Sequence, residues 1–243
     1  MNTVPAKVAL VVGAGGGIGA ATTQRLLQEG WQVLAVSRRR QGMVHPQLSW
    51  FTGASDEMEI EQLLAQLEDY RSRIHRVVVC SGLLHDHERG LLPEKRLEEL
   101  TTDSLLSTLA VNTLLPGLWL ARLLPLLKDS PHCVYATLSA RVGSIGDNRL
   151  GGWYSYRASK AALNMLLQTA AVEYSRRARR VKLLAFHPGT TDTELSRPFQ
   201  ANVPAGKLFT PEFVATQLDR IMSGLQADGE LSYLDWQGKP IPW

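Results

Sequence analysis

Short apolar runs that end in glycine or small polar residues alternate along this chain with longer stretches in which apolar residues recur every three or four positions. The first run, 7–12, stops at Gly13. An apolar run unbroken by polar residues predicts a strand covered on both faces, as in a parallel sheet. A helical stretch follows to Gly30, and the pattern repeats, with further strands expected at 31–36, 48–52, 77–80, 132–138, 181–186 and 231–234. Ile60, Leu63, Leu64 and Leu67 follow the i, i+3, i+4, i+7 spacing of a helix face. The stretch 101–128 is apolar and long enough for a helix across the sheet, with Pro116 expected to bend or split it. Another helix starts near Trp153 and runs to about Tyr174, and Pro211 opens the last one. This alternation predicts one α/β domain over 1–243, a doubly wound parallel sheet with helices on both faces. Residues 194–210 carry Pro and Gly without a period, which suits a substrate lid loop.

Composition narrows the picture. A chain of 243 residues buries roughly 70–75% of its unfolded surface and needs no disulfide or metal staple. A formal charge of +3, with arginine clusters only at 38–40 and 176–180, is too little for a nucleic-acid face. Cys80 and Cys133 sit inside apolar runs, which argues against a disulfide framework and fits a reducing cytoplasm. The run 7–12 is too short for a signal peptide or a bilayer span, so no membrane is expected. His85-Asp86-His87-Glu88 has metal-ligating side chains, but no second ligand group lies near it in sequence. It reads as a polar loop, with no metal.

Ligands in doubly wound sheets bind beyond the carboxyl ends of the strands. Gly13, Ser37, Arg38, Gly82, Ser139 and Pro188 all fall at such ends, which points to one dinucleotide site. The glycines of 13–19 allow a tight turn and let a pyrophosphate approach the backbone at a helix N-terminus. Dinucleotide folds often place an acid after the second strand; here Ser37 is followed by Arg38, Arg39 and Arg40. A carboxylate would repel a 2′-phosphate and guanidinium groups bind one, so NADP is favoured over NAD. Tyr156 and Lys160 are four apart at the start of a helix and share a face. An adjacent ammonium is expected to lower the phenol pKa and make Tyr156 a proton donor or acceptor near neutral pH. Asn112 lies within an apolar stretch, where an amide is either structural or part of a site.

With these residues in order, the chain resembles the short-chain dehydrogenase/reductase family over essentially its whole length. The carriers are the Gly13-x3-Gly17-x-Gly19 loop, Asn112, Tyr156-x3-Lys160 and Pro188-Gly189…Thr193. The stretch 151–163, with Ser144-Ile145 and Trp243, is similar to the branch of sniffer-type carbonyl reductases and C-factor. The resemblance implies a Rossmann-like fold and NADPH-dependent reduction of an aldehyde or ketone, in a dimer or tetramer. It implies Tyr156 as general acid, Lys160 on the nicotinamide ribose, and Asn112 positioning a water in a proton relay. A serine after the fifth strand would orient the substrate carbonyl. Gly13, Ile18 and Gly19 would face the phosphates, Gly82 the adenosine, and Pro188, Thr191 and Thr193 the carboxamide. The chain departs from the family at Val12, at 79–82 and at Gly53, where an Asp usually meets the adenine and Asp56 is the nearby acid. It departs most at Ser139-Ala140, where a Ser-Ser pair is usual and the second serine is the catalytic one. Ser139 is expected to take the role, with Ser144 as the other candidate. A second reading, an NADP-binding sensor or signalling protein with little turnover, follows from the same branch and from Ala140.

Overall fold

The structure is a computed structural model that describes residues 7–38 and 42–243. It begins with β1 (Val8–Val12), α1 (Gly17–Gln28), β2 (Gln32–Ser37), β3 (Leu48–Thr52), α2 (Glu57–Ala65) and β4 (Ile74–Val79). Then come α3 (Thr102–Leu109), α4 (Leu115–Leu127), β5 (Cys133–Leu138), α5 (Tyr154–Arg177) and β6 (Val181–His187). Two-residue strands β7 (Thr190–Thr191) and β8 (Leu208–Phe209), α6 (Pro211–Gly224) and β9 (Leu231–Asp235) complete the fold. Seven strands form one sheet in the order β3-β2-β1-β4-β5-β6-β9, all parallel.

Both faces of the sheet are covered, which is why its strands read as unbroken apolar runs. Val8, Leu10 and Val12 face the main core with Trp119, Leu120, Leu123 and Leu163. The intervening Ala9 and Val11 face the opposite side with Leu26 and Leu27 of α1. The order turns back between β1 and β4, so the loops after these two strands diverge and open a crevice at their carboxyl ends.

Two local features differ from the sequence reading, and the expected division of the long apolar stretch is refined. β4 starts at Ile74, ahead of the expected position, because Arg76 interrupts the apolar run yet is buried. Its guanidinium pairs with Asp219, donates to Ser223 Oγ at 2.6 Å and lies 4.6 Å from the Trp31 ring centre. The long apolar stretch is split between α3 and α4 by one π-helical turn, Ala110–Leu114, that carries Asn112, with Pro116 in the first turn of α4. By length and composition Thr102–Leu127 could also cross a bilayer; here Trp119, Leu120, Leu123 and Leu127 are buried in the main core. Finally, 194–210 is not wholly irregular: Arg197–Asn202 forms a 3-10 turn, and β8 pairs with β7.

Candidate active site

The glycine loop shapes one end of the crevice. Gly13 turns the chain at φ +80°, and its N–H and that of Ala14 both donate to the Val36 carbonyl, at 2.9 and 3.0 Å. A Cβ at Gly19 would stand 2.1 Å from the Gly13 carbonyl oxygen, so no other residue fits without moving backbone. Gly16 offers no side-chain acceptor to the first-turn N–H groups of α1, which leaves that helix end to an anion. A cleft of about 660 Å³ opens there. Gly17, Ile18, Gly19, Arg38, Gly82, Ser139, Tyr156, Lys160, Pro188 and Thr193 are among the residues that line it. Arg38 is exposed. Arg39 lies outside the described residues. Gly13, Ser37, Asn112 and Thr191 stand behind the lining rather than in it. Asp56 is committed elsewhere: its carboxylate caps α2 by accepting from the Glu59 N–H at 2.9 Å.

Tyr156 and Lys160 meet as the helix spacing requires, with Lys160 Nζ 5.8 Å from the Tyr156 ring centre. Lys160 is only 2% exposed, and its ammonium donates to the Leu138 carbonyl at 2.8 Å. Burial lowers its pKa to about 8. The phenol does not follow the sequence expectation: burial, with a smaller contribution from Tyr233, pushes the Tyr156 pKa up rather than down. Tyr156 is half-buried in the cleft wall, and the Lys160 ammonium is engaged by the Leu138 carbonyl rather than by the phenol oxygen. Tyr156 is therefore a neutral phenol, which is the state of a proton donor.

Asn112 is buried and its amide is fully engaged. Oδ1 accepts from the Leu83 N–H at 2.7 Å, and Nδ2 donates to the Leu83 carbonyl at 2.8 Å and to Ser159 Oγ at 3.0 Å. Ser159 Oγ in turn donates to the Tyr156 carbonyl at 2.8 Å. Asn112 thus ties the loop after β4 to the helix that carries Tyr156. β5 ends at Leu138, before Ser139, although the Ser139 N–H still bonds the Phe186 carbonyl at 2.8 Å. The Ser139 hydroxyl donates to Asn164 Oδ1 at 2.6 Å. Ser144 is outside the lining, and its hydroxyl accepts from the Asp147 N–H at 3.0 Å. The Ala140 carbonyl accepts from the Tyr233 hydroxyl at 2.7 Å. The Thr191 carbonyl accepts from Ser196 Oγ at 2.5 Å, which fixes the backbone between Pro188 and Thr193.

Several residues here carry no signal in the sequence. Glu94 is 2% exposed and caps α5 from 61 residues away. It accepts from the Ser155 N–H at 3.1 Å, from Ser104 Oγ at 2.8 Å and from the Ser155 hydroxyl. Burial pulls its carboxyl pKa up, but these donors together hold it below the usual range. The cap is needed because Trp153, at the N-cap position, has a left-handed backbone and no side-chain acceptor. That conformation costs a non-glycine residue about 1–3 kcal/mol. His85 and His87 do reach the cleft rim, with ring centres 4.9 Å apart. No group of metal-ligating side chains occurs among the described residues. Cys80 also lines the cleft, but burial pushes its thiol up to about 12, far from a thiolate nucleophile.

Comparison with known proteins identifies the family and the fold. The family model described as short chain dehydrogenase matches residues 7–204. The C-signal protein of Myxococcus xanthus is 32% identical over 136 residues, 56% of this chain and 76% of that one. A 1-hydroxy-2-glutathionyl-2-methyl-3-butene dehydrogenase of Rhodococcus sp. (strain AD45) is 28% identical over 241 residues, covering 96% of this chain and 98% of that one. Among solved structures, the carbonyl reductase Sniffer of D. melanogaster superposes with a TM-score of 0.84 at 21% identity, covering 98% of this chain and all of that one.

Proposed function

The chain belongs to the short-chain dehydrogenase family, and from that premise we propose that it reduces an aldehyde or ketone to an alcohol with NADPH. The observation that carries this reading is Tyr156 beside Lys160, in the same cleft that the glycine loop opens. The residues present fit the cofactor. Gly17, Ile18 and Gly19 line the cleft at a helix start that no side chain caps, which suits a pyrophosphate. Arg38, at the end of β2 where no carboxylate stands, supports a 2′-phosphate. Pro188 and Thr193 line the same cleft and suit the nicotinamide carboxamide, and Gly82 the adenosine side. When bound, NADPH supplies the hydride.

The chain's own residues supply the proton and the positioning. Tyr156 Oη donates its proton to the carbonyl oxygen as charge develops there. Lys160, charged below about pH 8, stabilises the phenolate that forms. Asn112 holds the helix and the neighbouring loop in register through Ser159 and Leu83. Of the two candidate serines, Ser139 lines the cleft and Ser144 does not; Ser139 orients the carbonyl oxygen when its hydroxyl turns from Asn164. The test is consumption of NADPH, in parallel with NADH, against a panel of aldehydes and ketones. Turnover preferring NADPH is expected. NADPH binding without turnover on any carbonyl would favour a sensor instead.

A further inference from the structure

A serine hydroxyl has a single proton to donate, and that of Ser139 is used inside the protein. It goes to Asn164 Oδ1, on α5, at 2.6 Å. Both residues are buried, and Ser139 still forms part of the cleft wall. A serine held this way offers the cleft only lone pairs. A substrate carbonyl also offers only lone pairs, so the two cannot bond until the proton is released.

The other end of the amide is in the opposite position. Asn164 Nδ2 is buried and makes no hydrogen bond, which is rare for a buried polar group. Its neighbour is Tyr233 of β9, whose hydroxyl lies near enough to Asn164 and Ser139 to feel both and gives its own proton to the Ala140 carbonyl at 2.7 Å. The two ends of a carboxamide are nearly the same size, so a half-turn of Asn164 about its last side-chain bond exchanges them in place. Nδ2 then donates to Ser139 Oγ, Oδ1 comes to lie beside the Tyr233 hydroxyl, and the serine proton is free to face the cleft.

We propose that Asn164 is a positioning residue for the reduction: its amide sets whether the Ser139 proton is held in the wall or offered to the substrate carbonyl. The proposal rests on the carbonyl-reductase reading above, with Ser139 as the serine of that reaction. Asn164 touches neither substrate nor cofactor and acts only through Ser139. The Ser139 hydroxyl turns toward the cleft when Asn164 presents its donor end, and only hydrogen bonds are exchanged.

Asn164→Asp separates the two states by pH. An ionised carboxylate only accepts, so it keeps the Ser139 proton in the wall; a protonated one donates to Ser139 and releases it. The measured quantity is kcat of the variant divided by kcat of wild type, with NADPH and a carbonyl that wild type reduces, from about pH 9 to about pH 5. The ratio should be down roughly 10²–10³-fold where the carboxyl is ionised, the loss expected for a missing oxyanion donor, and should recover about tenfold or more as pH falls. The other titratable and charged groups of this corner are Tyr156 and Lys160 on α5, Tyr233 and Asp235 on β9, Arg141 and Asp147 after β5, and His187 on β6. All are present in both proteins. A carboxylate that drew Lys160, four residues away, instead of Ser139 would lower turnover in a Ser139→Ala background as well. Asn164→Asp is expected to cost less than about threefold there. Asn164→Ala neither holds nor replaces the proton and should stay within about tenfold of wild type at every pH; it keeps the test open if the buried carboxylate does not fold. A ratio flat with pH, an equal loss in both backgrounds, or a loss of roughly a hundredfold in Asn164→Ala would mean that the amide only packs, and would overturn the proposal. Full turnover in Ser139→Ala would overturn it and leave the parent reading in place. A wild type that reduces no carbonyl compound would overturn that reading as well.

Discussion

At the cofactor end of the cleft the wall is mostly backbone: strand ends, a glycine turn and the start of α1. At the other end it is side chains from segments distant in sequence: His85 and Leu84 after β4, Leu195 near Phe199, and Tyr156 on α5. The first end is fixed by the sheet ladder and by glycines that admit no side chain. The second is fixed by a few long-range bonds, chiefly those of Glu94 and Asn112. A wall of backbone serves any dinucleotide of the right shape, whereas a wall of side chains can be rebuilt for each substrate. Substitutions should therefore separate the two ends.

The largest separation among the substrate-end changes is expected at Ser139. Losing a donor to a developing oxyanion costs roughly 10²–10³ in turnover, so Ser139→Ala should show that loss in kcat with NADPH affinity retained. Ser144→Ala should leave kcat within about tenfold of wild type; the reverse order would move the role to Ser144. Next in size is Arg38→Ala, which acts on the other end alone. A hydrogen bond to a charged group is worth about 1.5–3 kcal/mol, so NADPH affinity should drop about ten- to a hundredfold and NADH affinity much less. Equal losses for both cofactors in a binding titration would remove Arg38 from the 2′-phosphate.

Glu94→Ala probes the long-range fastening. It strands the Ser155 N–H, while the Ser104 and Ser155 hydroxyls keep each other and the Thr101 carbonyl; a buried group left unpaired costs about 1–3 kcal/mol. The thermal midpoint should fall by about 2–4 °C for each kcal/mol. Glu94→Gln, which keeps an acceptor for the Ser155 N–H, should fall less. Equal midpoints for wild type and Glu94→Ala would mean the cap does not hold the helix. A further effect shows only below neutral pH. Burial, reinforced by Arg141 and opposed by Asp235, lowers the His187 pKa from 6.5 to about 4. Between those values the unfolded chain binds more protons than the native one, so His187 contributes stability above pH 6.5 that is lost as pH falls toward 4. His187→Gln should flatten that part of a denaturant-midpoint profile; an unchanged slope would acquit His187.

The same contrast explains what could be read in the sequence. Strands buried on both faces announce themselves as apolar runs, and the glycine loop and the Tyr156–Lys160 spacing are local patterns that survive folding unchanged. Arg76 hid the start of β4 because its partners, Asp219 and Ser223, lie far along the chain. Glu94 and Trp153 gave no signal for the same reason: a cap supplied from 61 residues away and a left-handed tryptophan obey no period. Spacing places the ammonium beside Tyr156 but does not show how far the phenol is withdrawn from water, which sets the direction of its pKa shift.

The central claim is that Tyr156 gives the proton to a carbonyl oxygen in a site whose cofactor end stands independently of it. Tyr156→Phe tests it most directly, with NADPH binding followed by calorimetry and turnover followed on a carbonyl that wild type reduces. The account predicts a turnover loss of roughly 10²–10⁴-fold, with the NADPH dissociation constant within about threefold of wild type, less than 1 kcal/mol. A variant that kept half of wild-type turnover, or that lost NADPH binding along with activity, would contradict it.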